Sequence, residues 1–113
     1  MRWMLRSKIH KATVTEADVE YVGSVTVDEF LMKKAGFWPG EKVLAVSLTT
    51  GARLESYIIP GKKKSGTICM NGAAAHRIKK GEEIILMGFE LTGKPIRPKV
   101  LLLDKQNRFV RFL

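Results

Sequence analysis

Four groups of side chains have types and spacings that could perform chemistry. The first is Gly23-Ser24, which joins a conformationally free backbone to a hydroxyl nucleophile between two short runs of β-forming residues, 19–22 and 25–27. The second runs from Arg53 to Tyr57 and alternates, so that an extended strand presents both of these side chains on one face. They could converge on one ligand there, although the spacing is equally compatible with an exposed polar face.

The other two groups are Lys8-Ile9-His10 and the segment that begins with Asn71-Gly72. In a predicted strand over residues 3–14, Lys8 and His10 lie side by side on one face. The same spacing is expected of two solvated polar residues on an edge strand. Asn71 and Gly72 end a predicted strand and lead into a run of alanines that favours a short helix. A strand, a glycine and a helix start expose backbone N–H groups that suit an anion or a carbonyl oxygen.

The elements that must position these groups are mostly strands. Hydrophobic alternation and turn residues predict strands at 3–14, 42–48, 53–59, 67–71 and 84–89, and a final hairpin of 100–103 with 108–113. Residues 15–18 are expected to form a turn or a single helical turn, and Asp28 is expected to cap a helix that ends at Ala35. Apolar residues occupy the odd positions 19, 21, 25 and 27, so Ser24 is expected on the opposite face with its hydroxyl free for another task. A surface serine would show the same pattern. Short strands with two short helices favour a single β-barrel domain over residues 1–113.

Composition narrows the classes of function. The net charge of +9, from 20 basic and 11 acidic residues, suggests nucleic acid, a membrane surface or an anionic ligand. The run Lys62-Lys63-Lys64 lies in a predicted loop and is better explained as a solvated face. Apolar runs are too short to span a bilayer, and the N-terminus lacks the features of a signal peptide, so no membrane association and a cytoplasmic location are expected.

The single cysteine, Cys69, excludes a disulfide within the chain. The chain has only two histidines, and neither they nor the cysteine are at the spacing of metal ligands. No metal site is therefore expected. Cys69 is interpreted as a small buried hydrophobic residue.

The motifs together resemble one family. Tyr21-x-Gly23-Ser24, Lys8-Ile9-His10, Arg53-x-x-Ser56-Tyr57 and Asn71-Gly-Ala-Ala-Ala-His76 are similar, over nearly the whole chain, to the pyruvoyl-dependent aspartate 1-decarboxylases. In that family the Gly-Ser bond breaks itself, and the serine becomes the cofactor. The resemblance implies a mainly β fold, a double-psi β-barrel with short helices, assembled as a homotetramer with active sites between neighbouring subunits.

The resemblance also implies a role for each group. Ser24 would attack the Gly23 carbonyl, supported by Ser56 and Asn71, to give a β chain (1–23) and an α chain (24–113) that begins with a covalent pyruvoyl group. L-aspartate would condense with this group and lose CO2, which gives β-alanine for pantothenate biosynthesis. Substrate-binding residues would be Arg53, Lys8, Gly72, Ala73 and Ala74, with Tyr57 as the proton donor and Tyr21 and His10 lining the pocket.

Position 56 departs from the family pattern, which generally has threonine there. Ser56 keeps the hydroxyl but lacks the methyl group that restricts its rotamer, which bears on the rate of processing.

Two other functions fit the composition: a basic β-barrel that binds nucleic acid, and a structural barrel that never cleaves. The nine aromatic residues form no basic–aromatic cluster on one strand, and the ordered motifs favour the enzyme with no nucleic-acid partner.

Overall fold

Nine strands and two short helices make up the computed structural model, which describes all 113 residues. The elements are β1 (Arg2–Thr13), β2 (Glu16–Asp18), β3 (Ser24–Asp28), α1 (Glu29–Ala35), β4 (Lys42–Ser47), β5 (Arg53–Gly61), β6 (Ile68–Asn71), α2 (Ala74–Arg77), β7 (Glu83–Thr92), β8 (Lys99–Leu103) and β9 (Phe109–Phe112). The mainly β class with short helices, predicted from the sequence, is confirmed. Neither helix has the length and apolar character needed to cross a membrane.

Six of the strands form a closed ring, in the order β6-β3-β5-β4-β7-β1. The ring closes just after β1, because the Thr15 backbone N–H donates to the Ile68 carbonyl at the start of β6 (2.8 Å). The Thr15 hydroxyl completes this junction by accepting from the Ile68 N–H at 3.0 Å. β2 and the β8–β9 hairpin extend the sheet beyond the ring. The predicted β-barrel is therefore present.

Alternating burial divides β4 and most of β7 into an inner and an outer face. In β4, Val43, Ala45 and Ser47 are buried, while Leu44 and Val46 are only partly covered. In β7, Ile84 and Leu86 likewise point into a core of 20 buried residues. The outer positions of the same strands are therefore available to form a surface site or to meet another molecule.

Helix α1 ends at Ala35 as predicted, and its residues Leu31, Met32 and Ala35 are buried against this core. The Asp28 carboxylate accepts from the Phe30 N–H at 2.8 Å, which is an N-cap bond. Gly36 ends the helix in the left-handed region at φ 83°.

Two predictions around the cleavage motif are wrong. Residues 16–18, expected in a turn or a single helical turn, form β2, because they pair in parallel with β6 in the register Glu16↔Cys69 to Asp18↔Asn71. Residues 19–22, expected as a β-type run, form no strand, and Val19 and Val22 are exposed. Asp18 causes this change of direction, since its carboxylate accepts from the Glu20 N–H at 2.9 Å and turns the chain away from β6.

Candidate active site

Ser24 is the first residue of β3 and is 1% exposed. The prediction that its hydroxyl is free is therefore wrong. The reason is tertiary: β3 pairs with both β5 and β6, so its first residue lies within the barrel wall and not at an open edge. Gly23, one residue earlier, is exposed, so the Gly23–Ser24 bond lies where the chain passes from the surface into the barrel wall.

Asn71 lies directly opposite Ser24 in the antiparallel pair of β3 and β6. Its side-chain Nδ2 donates to Ser24 Oγ at 3.0 Å. The Ser24 hydroxyl in turn donates to the Val22 carbonyl at 3.3 Å. The serine predicted to be the nucleophile and the asparagine predicted to support it are thus in direct contact.

Gly72 lets the chain after β6 approach the cleavage motif closely. Its φ is 66°, and a Cβ there would lie 2.7 Å from Gly23 Cα and 3.0 Å from the Tyr21 carbonyl oxygen. No side chain fits in this space without moving backbone atoms of residues 21–23. Gly72 also donates its N–H to the Asp18 carbonyl at 2.8 Å, which fixes the turn against the end of β2.

A cavity of about 300 Å3 opens beside the Gly23–Ser24 bond. Its walls contain five residues that were predicted to act in cleavage or substrate binding: Gly23, Ser56, Asn71, Ala73 and Ala74. Leu54, Glu55 and Arg77 complete the lining. We call this space the cleavage cavity. Arg77 was not predicted, although its spacing of three from Ala74 on a helix is the signal that would have found it.

The side chains of Arg53, Glu55 and Tyr57 are exposed, and they alternate with the less exposed Leu54 and Ser56. Arg53 and Tyr57 share one face, as predicted, and Ser56 projects from the other face of the same strand. Within one chain, Arg53 and Tyr57 therefore point away from the face on which Ser56 reaches the cleavage cavity.

Lys8 and His10 lie on the same outer face as Arg53, three strands away. Across neighbouring strands, His10 lies opposite Ile85, Ile85 opposite Val46, and Val46 opposite Arg53. Lys8 is connected to Glu55 in the same way, through Met87 and Leu44. Directly opposed residues project to one side of a sheet, and three strand spacings amount to roughly 14 Å. We call this surface, formed by β5, β4, β7 and β1, the outer face. The structure brings Lys8 and His10 together on this face, and neither of them lines the cleavage cavity.

The surroundings of His10 favour its neutral form. Its partial burial, followed by the charges of Lys8 and Lys11, lowers the pKa of the imidazole below its ordinary value, against a smaller opposing effect of Glu83. Lys11 lies at a bulge in the β1–β7 pair, with φ 65°, which brings its charge next to the histidine. A neutral imidazole can accept a proton or a hydrogen bond at pH 7.

Comparisons of the whole chain with known proteins identify one family. Residues 1–110 match the aspartate decarboxylase family. The chain therefore belongs to this family of lyases, and the family predicted from the sequence is confirmed. The nucleic-acid-binding alternative is not favoured.

Relatives with the name aspartate 1-decarboxylase match almost the full chain. The Bacillus pumilus protein is 48% identical over 116 residues, which covers 99% of this chain and 91% of its own length. The Caldicellulosiruptor bescii protein is 48% identical over 112 residues, with 96% and 88% covered. The Bacillus subtilis protein is 46% identical over 116 residues, with 99% and 91% covered.

Proposed function

We propose that this protein cleaves its own Gly23–Ser24 bond and then converts L-aspartate to β-alanine and CO2, with a pyruvoyl group at residue 24, in pantothenate biosynthesis. The observation that carries the proposal is the contact of the buried Ser24 Oγ with Asn71 Nδ2 at 3.0 Å. A serine hydroxyl is a weak nucleophile, so cleavage needs a site built around it. Family membership supports the substrate and the reaction.

In the first reaction, Ser24 Oγ attacks the carbonyl carbon of Gly23, and the acyl group moves from nitrogen to oxygen. Gly23 tolerates the distorted backbone that this attack needs. The negative charge that develops on the carbonyl oxygen requires a fixed donor. Ser56, whose side chain carries a hydroxyl, lines the same cavity as Gly23 and is the proposed donor. Elimination then releases residues 1–23 with a carboxylate. The dehydroalanine left at residue 24 takes up water and loses ammonia to give the pyruvoyl group.

The residues around position 24 fit a small, covalently attached ketone. Strand pairing with Asn71 holds the backbone of residue 24, and Ala73 and Ala74 leave open space in the cleavage cavity. When present, the ketone supplies a carbonyl for the substrate amine and accepts the electrons released with CO2. The protein must then bind the two carboxylates, orient the bond to be broken and return a proton.

The outer face carries side chains suited to those tasks. The Arg53 guanidinium can grip a carboxylate with two parallel hydrogen bonds, and Lys8 supplies a second cation. Tyr57 is the proton donor in this proposal, while Tyr21 and the neutral His10 line the pocket. The backbone of Ala73 and Ala74 borders the substrate on the side of residue 24. Gly72 lies beside it, with its own N–H bound to the Asp18 carbonyl.

A complete site requires a second subunit, because Arg53 and Tyr57 lie on the face of their strand opposite to Ser56. The outer face of one subunit would close the cleavage cavity of its neighbour in a homotetramer. The outer face is suited to this contact, since Leu44, Val46, Ile85 and Met87 form a partly exposed apolar band beside Phe89, which is 41% exposed. The cytoplasmic location stays a prediction from the sequence.

Intact mass spectrometry under denaturing conditions tests the cleavage directly. Samples of the wild-type protein taken after increasing incubation times should show two fragments: a chain of residues 1–23 and a chain of residues 24–113 that begins with a pyruvoyl group. Ser24→Ala should remain one chain with no decarboxylase activity. Ser65→Ala removes an exposed loop hydroxyl and should be cleaved at the wild-type rate.

Two outcomes would refute the proposal. One is a wild-type chain that stays intact and inactive, and the other is cleavage at position 23 in Ser24→Ala. Native mass spectrometry of the processed protein tests the assembly separately, since a fully active monomer would exclude a site shared between subunits.

A further inference from the structure

We propose that Thr26 and Cys69 are positioning residues for self-cleavage. They hold the Asn71 amide so that its Nδ2 faces Ser24 Oγ and stabilises the oxygen that leaves in the elimination step. This inference rests on the proposed function, because it concerns the same Gly23–Ser24 bond.

Three contacts determine the orientation of the Asn71 amide. Nδ2 donates one hydrogen to Ser24 Oγ (3.0 Å) and the other to Thr26 Oγ1 (2.8 Å). The Cys69 thiol donates to Oδ1 at 3.2 Å. Asn71 is only 3% exposed, so water offers no substitute for a lost partner. A flipped amide would turn an N–H toward sulfur, which is a weak acceptor, so the observed orientation is favoured.

The Thr26 hydroxyl is aimed by the packing of its methyl group. Thr26 lies between β5 and β6, opposite Ile59 on one side and Cys69 on the other. A Cβ at Gly61 would lie 2.9 Å from Thr26 Cγ2, so this glycine makes room for the methyl group. With Cγ2 held at Gly61, rotation of Oγ1 away from Asn71 would require the methyl group to leave this space.

Cys69 provides a donor from the other side of the amide. Burial, followed by the negative charges of Glu16 and Asp18, raises the pKa of the thiol above its ordinary value. The sulfur therefore keeps its hydrogen at neutral pH and donates it to Oδ1. The sequence-based interpretation of Cys69 as a small buried residue is correct about its burial but misses this contact.

The N–H group of Asn71 that donates to Ser24 Oγ can stabilise the negative charge that forms on this oxygen in the elimination step. After the acyl shift, Ser24 Oγ is the bridging oxygen of an ester with Gly23. The Cα proton of residue 24 passes to water, a Cα=Cβ double bond forms, and the Cβ–Oγ bond breaks. The electron pair of that bond stays on Oγ, which becomes a carboxylate oxygen of Gly23. Asn71 Nδ2 already donates to this oxygen, whereas the charge in the earlier attack develops on the Gly23 carbonyl oxygen.

Two matched pairs of variants test the inference. Thr26→Val keeps the shape and the methyl group but removes the acceptor, whereas Thr26→Ser keeps the hydroxyl. Cys69→Ala removes the thiol, and Cys69→Ser restores a donor. Self-cleavage should slow roughly tenfold or more in Thr26→Val and measurably in Cys69→Ala, because a buried amide loses one partner. The serine variants should cleave within about threefold of the wild-type rate, allowing for one altered but retained hydrogen bond.

Hydroxylamine distinguishes the step that is affected. In Thr26→Val the ester should accumulate, and hydroxylamine should split it at once into residues 1–23 with a C-terminal hydroxamate and an α chain that begins with intact Ser24. Intact mass spectrometry reads both products. A change in folding alone would slow cleavage without producing this trapped ester.

Cleavage of Thr26→Val at the wild-type rate would overturn the inference, and so would slow cleavage with no ester that hydroxylamine can trap. If Thr26→Val does not fold, equal rates in Cys69→Ala and Cys69→Ser would overturn it. Failure of the proposed function has a different signature, since the wild-type chain itself would then remain uncleaved.

Discussion

Replacing Gly72 with alanine should slow self-cleavage because this residue touches the chain beside the bond that breaks. An alanine Cβ would lie 2.7 Å from Gly23 Cα, 2.9 Å from Gly23 N and 3.0 Å from the Tyr21 carbonyl oxygen. All three are backbone atoms, so no side-chain rotation can relieve the overlap. The segment 21–23 must move instead.

The structure allows the size of the effect to be worked out. Bringing the shortest contact from 2.7 Å to ordinary van der Waals contact at 3.4 Å requires a shift of about 0.7 Å. A misplacement of about 1 Å at a reacting centre can reduce a rate by about a hundredfold. Stability should fall as well, by about 1–2 kcal/mol for the left-handed backbone and a further 1–3 kcal/mol for the overlap.

Gly51→Ala is the matched control. Its φ of 83° carries a similar backbone cost, but nothing lies within 4 Å of its added Cβ. Denaturant unfolding at one protein concentration gives the stability difference, and a mass-spectrometric time course gives the cleavage rate. We expect normal cleavage in Gly51→Ala and about hundredfold slower cleavage in Gly72→Ala. Equal rates in the two variants would refute it.

The remaining predictions concern side chains of the two faces of β5 and of β1. Tyr57→Phe should still process itself but turn over aspartate about a hundredfold more slowly, and near-normal β-alanine production would assign the proton donor elsewhere. Arg53→Ala should process normally and mainly raise the KM for aspartate, which steady-state kinetics would contradict if only kcat fell. Ser56→Thr should accelerate self-cleavage, because the added methyl group restricts the hydroxyl; an unchanged mass-spectrometric time course would count against a role for Ser56. His10 should titrate in NMR below its ordinary pKa of 6.5. The unfolded chain binds this proton more readily than the folded one. The contribution of His10 to the free energy of unfolding should therefore be complete above about pH 6.5 and should fall as the pH drops toward the lowered pKa of the folded protein. His10→Gln should flatten this pH dependence.

Much of the fold was predictable because its signals are local. The alternation in 42–48 and 53–59 marks the strand faces, and Asp28 and Gly36 mark the ends of α1, as the structure bears out. Such patterns depend on neighbours within a few residues along the chain. The order of the Gly-Ser, Arg–Tyr and Asn-Gly motifs likewise identified the family, since it needs only residue types and their succession.

The sequence by itself therefore determined the mainly β class, the family and the set of residues that could do chemistry. Only the tertiary structure decided that Ser24 is buried, that residues 16–18 form a strand and that Arg53 and Tyr57 point away from the side of Ser56. The contact between Asn71 and Ser24 joins residues 47 positions apart, and it exists only because β6 pairs with β3 in one register. Pairing between distant strands is governed by the burial of the whole sheet face, and no short stretch of sequence records it.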